Sequence, residues 1–264
     1  MKTVNIWGLE IVASPRQIFL KEVFERLNFI SRPLLIFTPN AENLLRAQKN
    51  SALKNALSHA DYNIPDSASI LWSAERNGQG ILKSIGLLFR LPFGFGVDKK
   101  IFEKISGADL VMDIFTEAEK RGYKVALVGG AEKAAEEASF NLKSIYPQLN
   151  IVYAGVGILE KEWHLETLEL TEKLNQLGAE IILCAFGCPK QELWCYYQRD
   201  FLPRAKILIG VGGTLEFLSG QIKRAPVFLR KLNLEWLWRL LQQPWRLGRI
   251  FNAVAKFIYK DLKN

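Results

Sequence analysis

Histidine is nearly missing from this chain: His59 and His164 are the only two, far apart in 264 residues, so a histidine-based triad or zinc site has little to draw on. Cysteine is scarce too. Cys184, Cys188 and Cys195 cannot all pair within the chain and match no metal-ligand spacing, so buried or inert thiols are expected. No uncharged apolar run of about 18 residues or more occurs, and the N-terminus lacks the charged, apolar, small-residue order of a cleaved leader. This argues against a spanning helix and against secretion, and it predicts a cytoplasmic protein. The three spaced glycines of a dinucleotide-binding turn are absent, as are helix-turn-helix, zinc-finger and ribonucleoprotein signatures, so nucleic acid is not an expected partner. With 49% hydrophobic residues the chain can still bury a substantial core.

The first 220 residues also lack net charge. Lys and Arg number 35 against 27 acids, and ten of those bases lie between Gln221 and Asn264 with only Glu235 and Asp261 to oppose them. The tail therefore carries the full excess of +8 and the body is formally neutral. Phe228, Trp236, Trp238, Trp245, Phe251, Phe257 and Tyr259 are interleaved with those bases. From Trp245 onward, Leu247, Ile250, Phe251, Val254, Phe257, Ile258 and Leu262 recur at helical spacing, with Arg246, Arg249, Lys256, Lys260 and Lys263 on another face. Pro244 should separate this helix from a shorter one over Asn233 to Gln242. Cationic and aromatic faces on one helix suit an anionic membrane surface, where each base contributes on the order of 1 kcal/mol. The plainer alternative is a helix pair packed on the core with its bases solvated.

Along the body, Val-, Ile- and Leu-rich runs alternate with amphipathic stretches, the pattern of an α/β fold: a Rossmann-like, largely parallel sheet with helices on both faces, followed by a basic helical appendage. The expected strands are Val4 to Trp7, Leu34 to Thr38, Lys124 to Val128, Asn150 to Ala154, Glu180 to Ala185 and Lys206 to Val211. Ser14 and Pro15 read as cap and first turn of a helix reaching about Asn28. The division is a catalytic core over 1–222 and an appendage over 223–264.

Ligands of such sheets sit where the chain leaves the strands. Gly129 and Gly130 precede an expected helix Ala131 to Leu142, where bare backbone amides can approach a phosphate, or simply make a tight turn. After Gly187, Cys188 and Pro189, the residues Lys190, Gln191 and Glu192 place three long polar groups at the mouth of another helix, an arrangement a solvated first turn shares. Asp66, ahead of a helix over Ser69 to Asn77, reads either as its cap or as a carboxylate placed to take a proton from a hydroxyl. Spacing alone does not choose.

Taken in order, these stretches resemble the WecG/TagA/CpsF family of bacterial glycosyltransferases. The motifs are Thr38-Pro39-Asn40, Pro65-Asp66, Gly107-Ala108-Asp109-Leu110, Leu127-Val128-Gly129-Gly130, Tyr146-Pro147, Gly187 to Trp194, Val211-Gly212-Gly213, Gly220, Arg224-Ala225-Pro226, Leu234-Glu235-Trp236-Leu237 and Pro244-Trp245-Arg246. The resemblance implies transfer, with inversion, of an N-acetylhexosamine-type sugar such as N-acetylmannosamine or its uronic acid. The donor is a UDP-sugar and the acceptor a polyprenyl-diphosphate-linked sugar, with no cofactor and no metal-binding Asp-x-Asp.

Asp66 is then the general base. Thr38, Asn40 and Gln191 line the sugar and nucleotide site, joined by Gly129, Gly130, Gly187 and Lys190. Arg224, Arg239, Arg246 and Arg249 are candidates to hold the departing diphosphate, on an appendage that also touches the inner face of the membrane. Two departures stand out. Ser67 follows the base where the family commonly has Gly, and Lys104 stands where relatives carry an Arg, keeping charge without the forked geometry. The greasy, basic stretch over 81–96 reads as an insertion: a second membrane contact, an acceptor lid, or an oligomer contact. A homo-oligomer is left open. Two other readings remain at this stage: a membrane-docking nucleotide-sugar scaffold without turnover, and a soluble α/β enzyme using another nucleotide cofactor.

Overall fold

The computed structural model describes residues 1–76, 86, 100–155, 163–232 and 234–263, so all of the 81–96 stretch except Gly86 lies outside the described residues. Among the described residues eight strands form one sheet: β1 (Thr3–Ile6), β2 (Leu9–Val12), β3 (Leu34–Phe37), β4 (Tyr62–Asn63), β5 (Lys124–Gly129), β6 (Asn150–Gly155), β7 (Ile181–Ala185) and β8 (Ile207–Gly210). Their order is β1-β2-β4-β3-β8-β7-β5-β6, and every pairing is parallel except the β1–β2 hairpin. The helices are α1 (Arg16–Arg26), α2 (Ala41–Ala47), α3 (Ser51–Ser58), α4 (Ala68–Arg76), α5 (Gly107–Arg121), α6 (Ala134–Ile145), α7 (Trp163–Leu177), α8 (Lys190–Gln198) and α9 (Thr214–Leu218). Three more make the appendage: α10 (Val227–Lys231), α11 (Glu235–Gln242) and α12 (Leu247–Lys263).

Successive strand residues point to opposite faces, and the core divides accordingly. Leu35, Phe37, Val128, Ile182, Cys184 and Leu208 pack with Leu44, Leu53, Trp72, Leu174 and Trp194 on one side. Leu34, Ile36, Leu127, Leu183 and Ile209 pack with Phe19, Phe115, Ala138 and Leu215 on the other. Both faces are covered, which is why the inner strands read as continuous apolar runs. The α/β expectation holds.

The chain leaving β3 enters α2 on the first face, and the chain leaving neighbouring β8 enters α9 on the second. This divergence opens a crevice at the carboxyl ends of β3 and β8, the switch point where open α/β sheets take their ligands.

Several boundaries differ from the sequence expectation. β2 and the two-residue β4 were too short to stand out, and β1 ends at Ile6 because Trp7 and Gly8, with φ of 53° and 86°, turn the hairpin. A turn with both central φ positive favours Asn-Gly, so Trp-Gly gives little signal. Ser14 does not cap α1; Pro15 holds that position, and the Ser14 hydroxyl accepts the Lys2 amide at 3.0 Å. α6 starts at Ala134, three residues beyond the expected Ala131, after a turn in which Lys133 takes a φ of 60°.

The appendage is anchored at its end. Phe257 is fully buried and its ring lies 4.7 Å from that of Trp7. Asp261, also buried, accepts from Trp7 Nε1 (2.8 Å), Ser73 Oγ (2.7 Å) and Arg76 Nε (2.7 Å). The expected apolar stripe is thus split. Phe257, Ile258 and Leu262 pack on the core, whereas Leu247 and Phe251 stay exposed. Removing one partner of a buried charged pair leaves the other without compensation, so Asp261→Ala should cost about 3 kcal/mol or more. Urea unfolding measures that loss, and faster proteolysis within 247–263 should accompany it.

Candidate functional site

Asp66 follows β4 and turns away from the helix it precedes. Ser67 serves α4 instead, its carbonyl and hydroxyl accepting the Ile70 amide at 3.1 and 3.4 Å. The Asp66 carboxylate accepts the amide of Gly107, the first residue of α5, at 3.1 Å. The capping alternative therefore fails for the adjacent helix, and the carboxylate lies between the end of β4 and the start of α5, near Glu235 and Arg239 of the appendage.

Part of Asp66 remains open to solvent, yet the surrounding protein removes enough water that burial raises its pKa from 3.8 to about 7. Lys104, the Gly107 amide and Arg239 oppose that rise, while Glu235 adds to it. Glu235 and Arg239 are four residues apart on α11 and so share a helix face. One helix of the appendage thus places an acid and a base beside the carboxylate. A carboxyl half-ionised near neutrality can take a proton from a bound hydroxyl at modest driving force.

The other expected residues are distributed around this point. Thr38, at the end of β3, donates to the Gly210 carbonyl at 3.1 Å. A Cβ on Gly107 would lie 3.5 to 3.8 Å from side-chain atoms of Thr38 and Thr214, so these residues enclose the space beside Asp66. Asn40 caps α2, its side-chain oxygen accepting from the Glu42 and Asn43 amides at 2.9 and 3.1 Å.

The expectation of three polar groups projecting at the mouth of α8 is corrected. Gln191 and Glu192 are buried, because α8 turns that face toward β8 and α2. Gln191 donates to Glu192 at 2.9 Å and accepts the Gly212 amide at 3.0 Å. Burial raises the pKa of Glu192, against the opposing hydrogen bond from Gln191. Gln191 therefore holds the Gly212–Gly213 turn in place.

That turn seats Arg239. A Cβ on Gly213 would collide with the Arg239 guanidinium, whose carbon lies 5.0 Å from the centre of the Phe217 ring. Burial lowers the Arg239 pKa, offset by Glu216, Asp66 and Glu235, and its Nε is buried without a hydrogen-bond partner. Among the described residues Arg239 makes no ion pair. It lines a cleft of about 500 Å³ between body and appendage, together with Ala131, Glu216, Gln221, Ile222, Gln243, Trp245 and Arg249.

Gly129 and Gly130, with φ of 90° and 87°, lead the chain into Ala131, which lines this cleft. A Cβ on Gly129 would meet Phe186 at 2.8 Å, and one on Gly130 would meet Ala134 at 3.0 Å, so both positions require glycine on space and backbone alike. Arg249 reaches Glu42 of α2 at 3.3 Å; Glu42 also pairs with Arg46, which donates to the Cys188 carbonyl at 3.0 Å. This chain of contacts ties the appendage to the loop of Gly187, ahead of Lys190. The Arg246 side chain lies outside the described residues.

Arg224 pairs with Asp109 of α5 at 2.8 Å, and Arg230 joins the same carboxylate at 3.2 Å. Arg224 also lies 3.6 Å from Glu235, and Lys104 lies 3.9 Å from it. Asp109, Thr214, Glu216 and Glu235 were not singled out from the sequence as site residues. Asp109 and Glu235 sat inside quoted motifs, and the scarcity of acids in the basic tail was the available signal for Glu235.

A carboxyl near its midpoint at neutral pH, and a partly buried Arg239 that makes no ion pair among the described residues and lines a cleft, are features of a candidate site for an anionic ligand. The chain belongs to the WecG/TagA/CpsF family of glycosyl transferases, whose family model matches residues 4–88 and 84–264. Membership makes it a glycosyltransferase of cell-surface polysaccharide synthesis, working between a nucleotide-sugar donor and a lipid-linked acceptor. Among the described residues no helix is long and apolar enough to cross a membrane.

Two measurements check this geometry. A folded-state pKa above the unfolded value means the native protein binds the Asp66 proton more tightly, so wild type loses stability as pH rises from about 4 to about 7. Asp66→Asn does not titrate. Its urea midpoint relative to wild type should therefore climb across that window and level off above about pH 7, and a flat difference contradicts the raised pKa. Gly213 has a φ of −80°, which alanine accepts, so Gly213→Ala should leave the melting temperature nearly unchanged while displacing Arg239. Its turnover should fall as far as that of Arg239→Ala.

Proposed function

We propose that this protein is an inverting hexosyltransferase that moves an N-acetylhexosamine-type sugar, N-acetylmannosamine or its uronic acid, from UDP to a polyprenyl-diphosphate-linked sugar. The observation that supports the reading is the approach of α11 to Asp66: its Glu235 and Arg239 are near enough to act on the carboxyl's charge, and among the described residues Arg239 makes no ion pair. Asp66 removes the proton of the acceptor hydroxyl. The oxygen forms its bond to the anomeric carbon from the face opposite the diphosphate, and the carbon–oxygen bond to UDP breaks with its electron pair leaving on the diphosphate. Arg239 and Arg249 stabilise that charge from the cleft, and the partly desolvated surroundings strengthen the attraction. Thr38 and the Gly107 turn bound the space where the hydroxyl approaches.

In this reading the appendage also docks on the inner face of the membrane. Trp236, Leu241, Trp245, Leu247 and Phe251 are exposed on three successive helical segments, although the body buries Trp72 and Trp194 almost completely. Large side chains left in water at this density mark an interaction surface, and the neighbouring bases favour an anionic one. A lipid-linked acceptor would then reach Asp66 from the side where the protein meets the bilayer.

Purified protein incubated with UDP-sugars and a short polyprenyl-diphosphate sugar should release UDP. Asp66→Asn should lower the rate about 10² to 10⁴-fold without unfolding the protein. The wild-type rate should rise with pH through a limb centred near 7, as the base ionises. UDP binding without release from any donor gives the scaffold reading instead. On vesicles containing anionic phospholipid, Trp245→Ala combined with Phe251→Ala should float about tenfold less protein than wild type, and equal flotation removes these side chains from the docking surface.

A further inference from the structure

Around Asp66 the charged pairs are of two kinds. Arg224 and Arg230 grip Asp109 at 2.8 and 3.2 Å, within the range of charge-assisted hydrogen bonds, and tie the appendage to α5. Glu235 is held differently. Its nearest approaches are 3.6 Å to Arg224 Nε and 3.9 Å to Lys104 Nζ, attraction without a hydrogen bond. The Arg224 Nε is correspondingly a buried donor with no hydrogen-bond partner, as is the Nε of Arg239 one turn further along α11. Lys104 and Arg224 are only 14% and 24% exposed, too enclosed for water alone to balance them.

Glu235 thus sits loosely between Lys104 and the Nε of Arg224, whose Nη2 is already paired with Asp109, on the helix that also carries Arg239, which makes no ion pair among the described residues. A diphosphate brings several oxygens and two or more negative charges, and it can satisfy at short range the donors that Glu235 only attracts. The carboxylate pairs with them at a cost that a better anion removes.

We propose that Glu235 is a stand-in anion: it keeps Lys104 and Arg224 in position and yields them to the diphosphate of the donor. Glu235 is a positioning residue in this scheme, acting through the cations and through its repulsion of Asp66. Once the two cations turn to the diphosphate, Asp109 still holds Arg224 by its short pair, so the appendage stays latched. The inference rests on the nucleotide-donor reading given above.

Titration calorimetry with UDP on the full chain tests it in wild type, Glu235→Gln and Glu235→Asp. Glu235→Gln keeps the volume and loses the competing charge, so it should bind UDP about tenfold more tightly. Glu235→Asp should return to near the wild-type affinity. With Glu235 neutral, the acidic limb of the pH–rate profile should move to lower pH, because a repelling charge next to Asp66 is gone. A purely structural Glu235 predicts weaker or unchanged UDP binding and an unmoved limb, and that result overturns the proposal.

If Glu235→Gln does not fold, Lys104→Gln with Glu235→Gln, which restores the balance of charge, is compared with Lys104→Gln alone. The double variant should bind UDP about threefold more tightly through Arg224, and no gain overturns the stand-in role. Wild type that binds no UDP sinks the donor reading itself; wild type that binds UDP while neither Glu235 comparison tightens sinks only the stand-in role.

Discussion

Asp66 carries its charge beside Lys104, Arg239 and a competing carboxylate, Glu235, and two of these three neighbours come from the appendage. The balance among them governs the rest of the site. Burial alone would keep the carboxyl protonated, and the two cations alone would hold it ionised and weakly basic. Together they leave it near its midpoint at neutral pH, which suits a base that must gain a proton and lose it again in each cycle. Burial is the largest influence on this carboxyl, and α11 adds smaller, opposed ones through Glu235 and Arg239.

The body supplies the fixed half of this arrangement. The sheet ends bring Thr38, Asp66 and the Gly212–Gly213 turn together, and the Gln191 side-chain oxygen holds that turn by accepting the Gly212 amide while its NH2 group is fixed on Glu192. The appendage supplies the other half through two attachments of different character. Near the site it is held by ion pairs to Asp109 and Glu42, partly open to water. At its far end it is held by the buried Asp261 hub and Phe257. Pairs in contact with solvent rearrange at small cost, whereas the buried hub does not. α12 is thereby anchored at its end while α11 stays close to the chemistry, with its exposed aromatic residues facing outward.

Much of this was legible from local pattern. Hydrophobic runs identified six of the eight strands, and the charge count separated a neutral body from a cationic tail. The misses have physical causes. β4 pairs through only two residues, too few for any periodicity, and the Trp7–Gly8 hairpin has at its turn a residue whose indole donates to Asp261 rather than a usual turn former. The polar groups of Gln191 and Glu192 looked solvated because helix-opening residues normally are, and burial against β8 is a tertiary fact. The stripe on α12 was periodic throughout, yet only its end found a surface to cover.

By itself the sequence determined the class of fold, the segregation of positive charge and the family, because strand alternation, helical spacing and ordered motifs are properties of neighbouring residues. Tertiary structure decided the roles. Whether Asp66 capped the helix next to it or bonded to the start of another depended on Gly107, forty-one residues away. Whether Glu235 was a stray acid in a basic tail or a neighbour of Asp66, Lys104 and Arg224 depended on where α11 came to rest. Electrostatic energy falls with distance in space and takes no account of separation along the chain, so only the packed structure sets it.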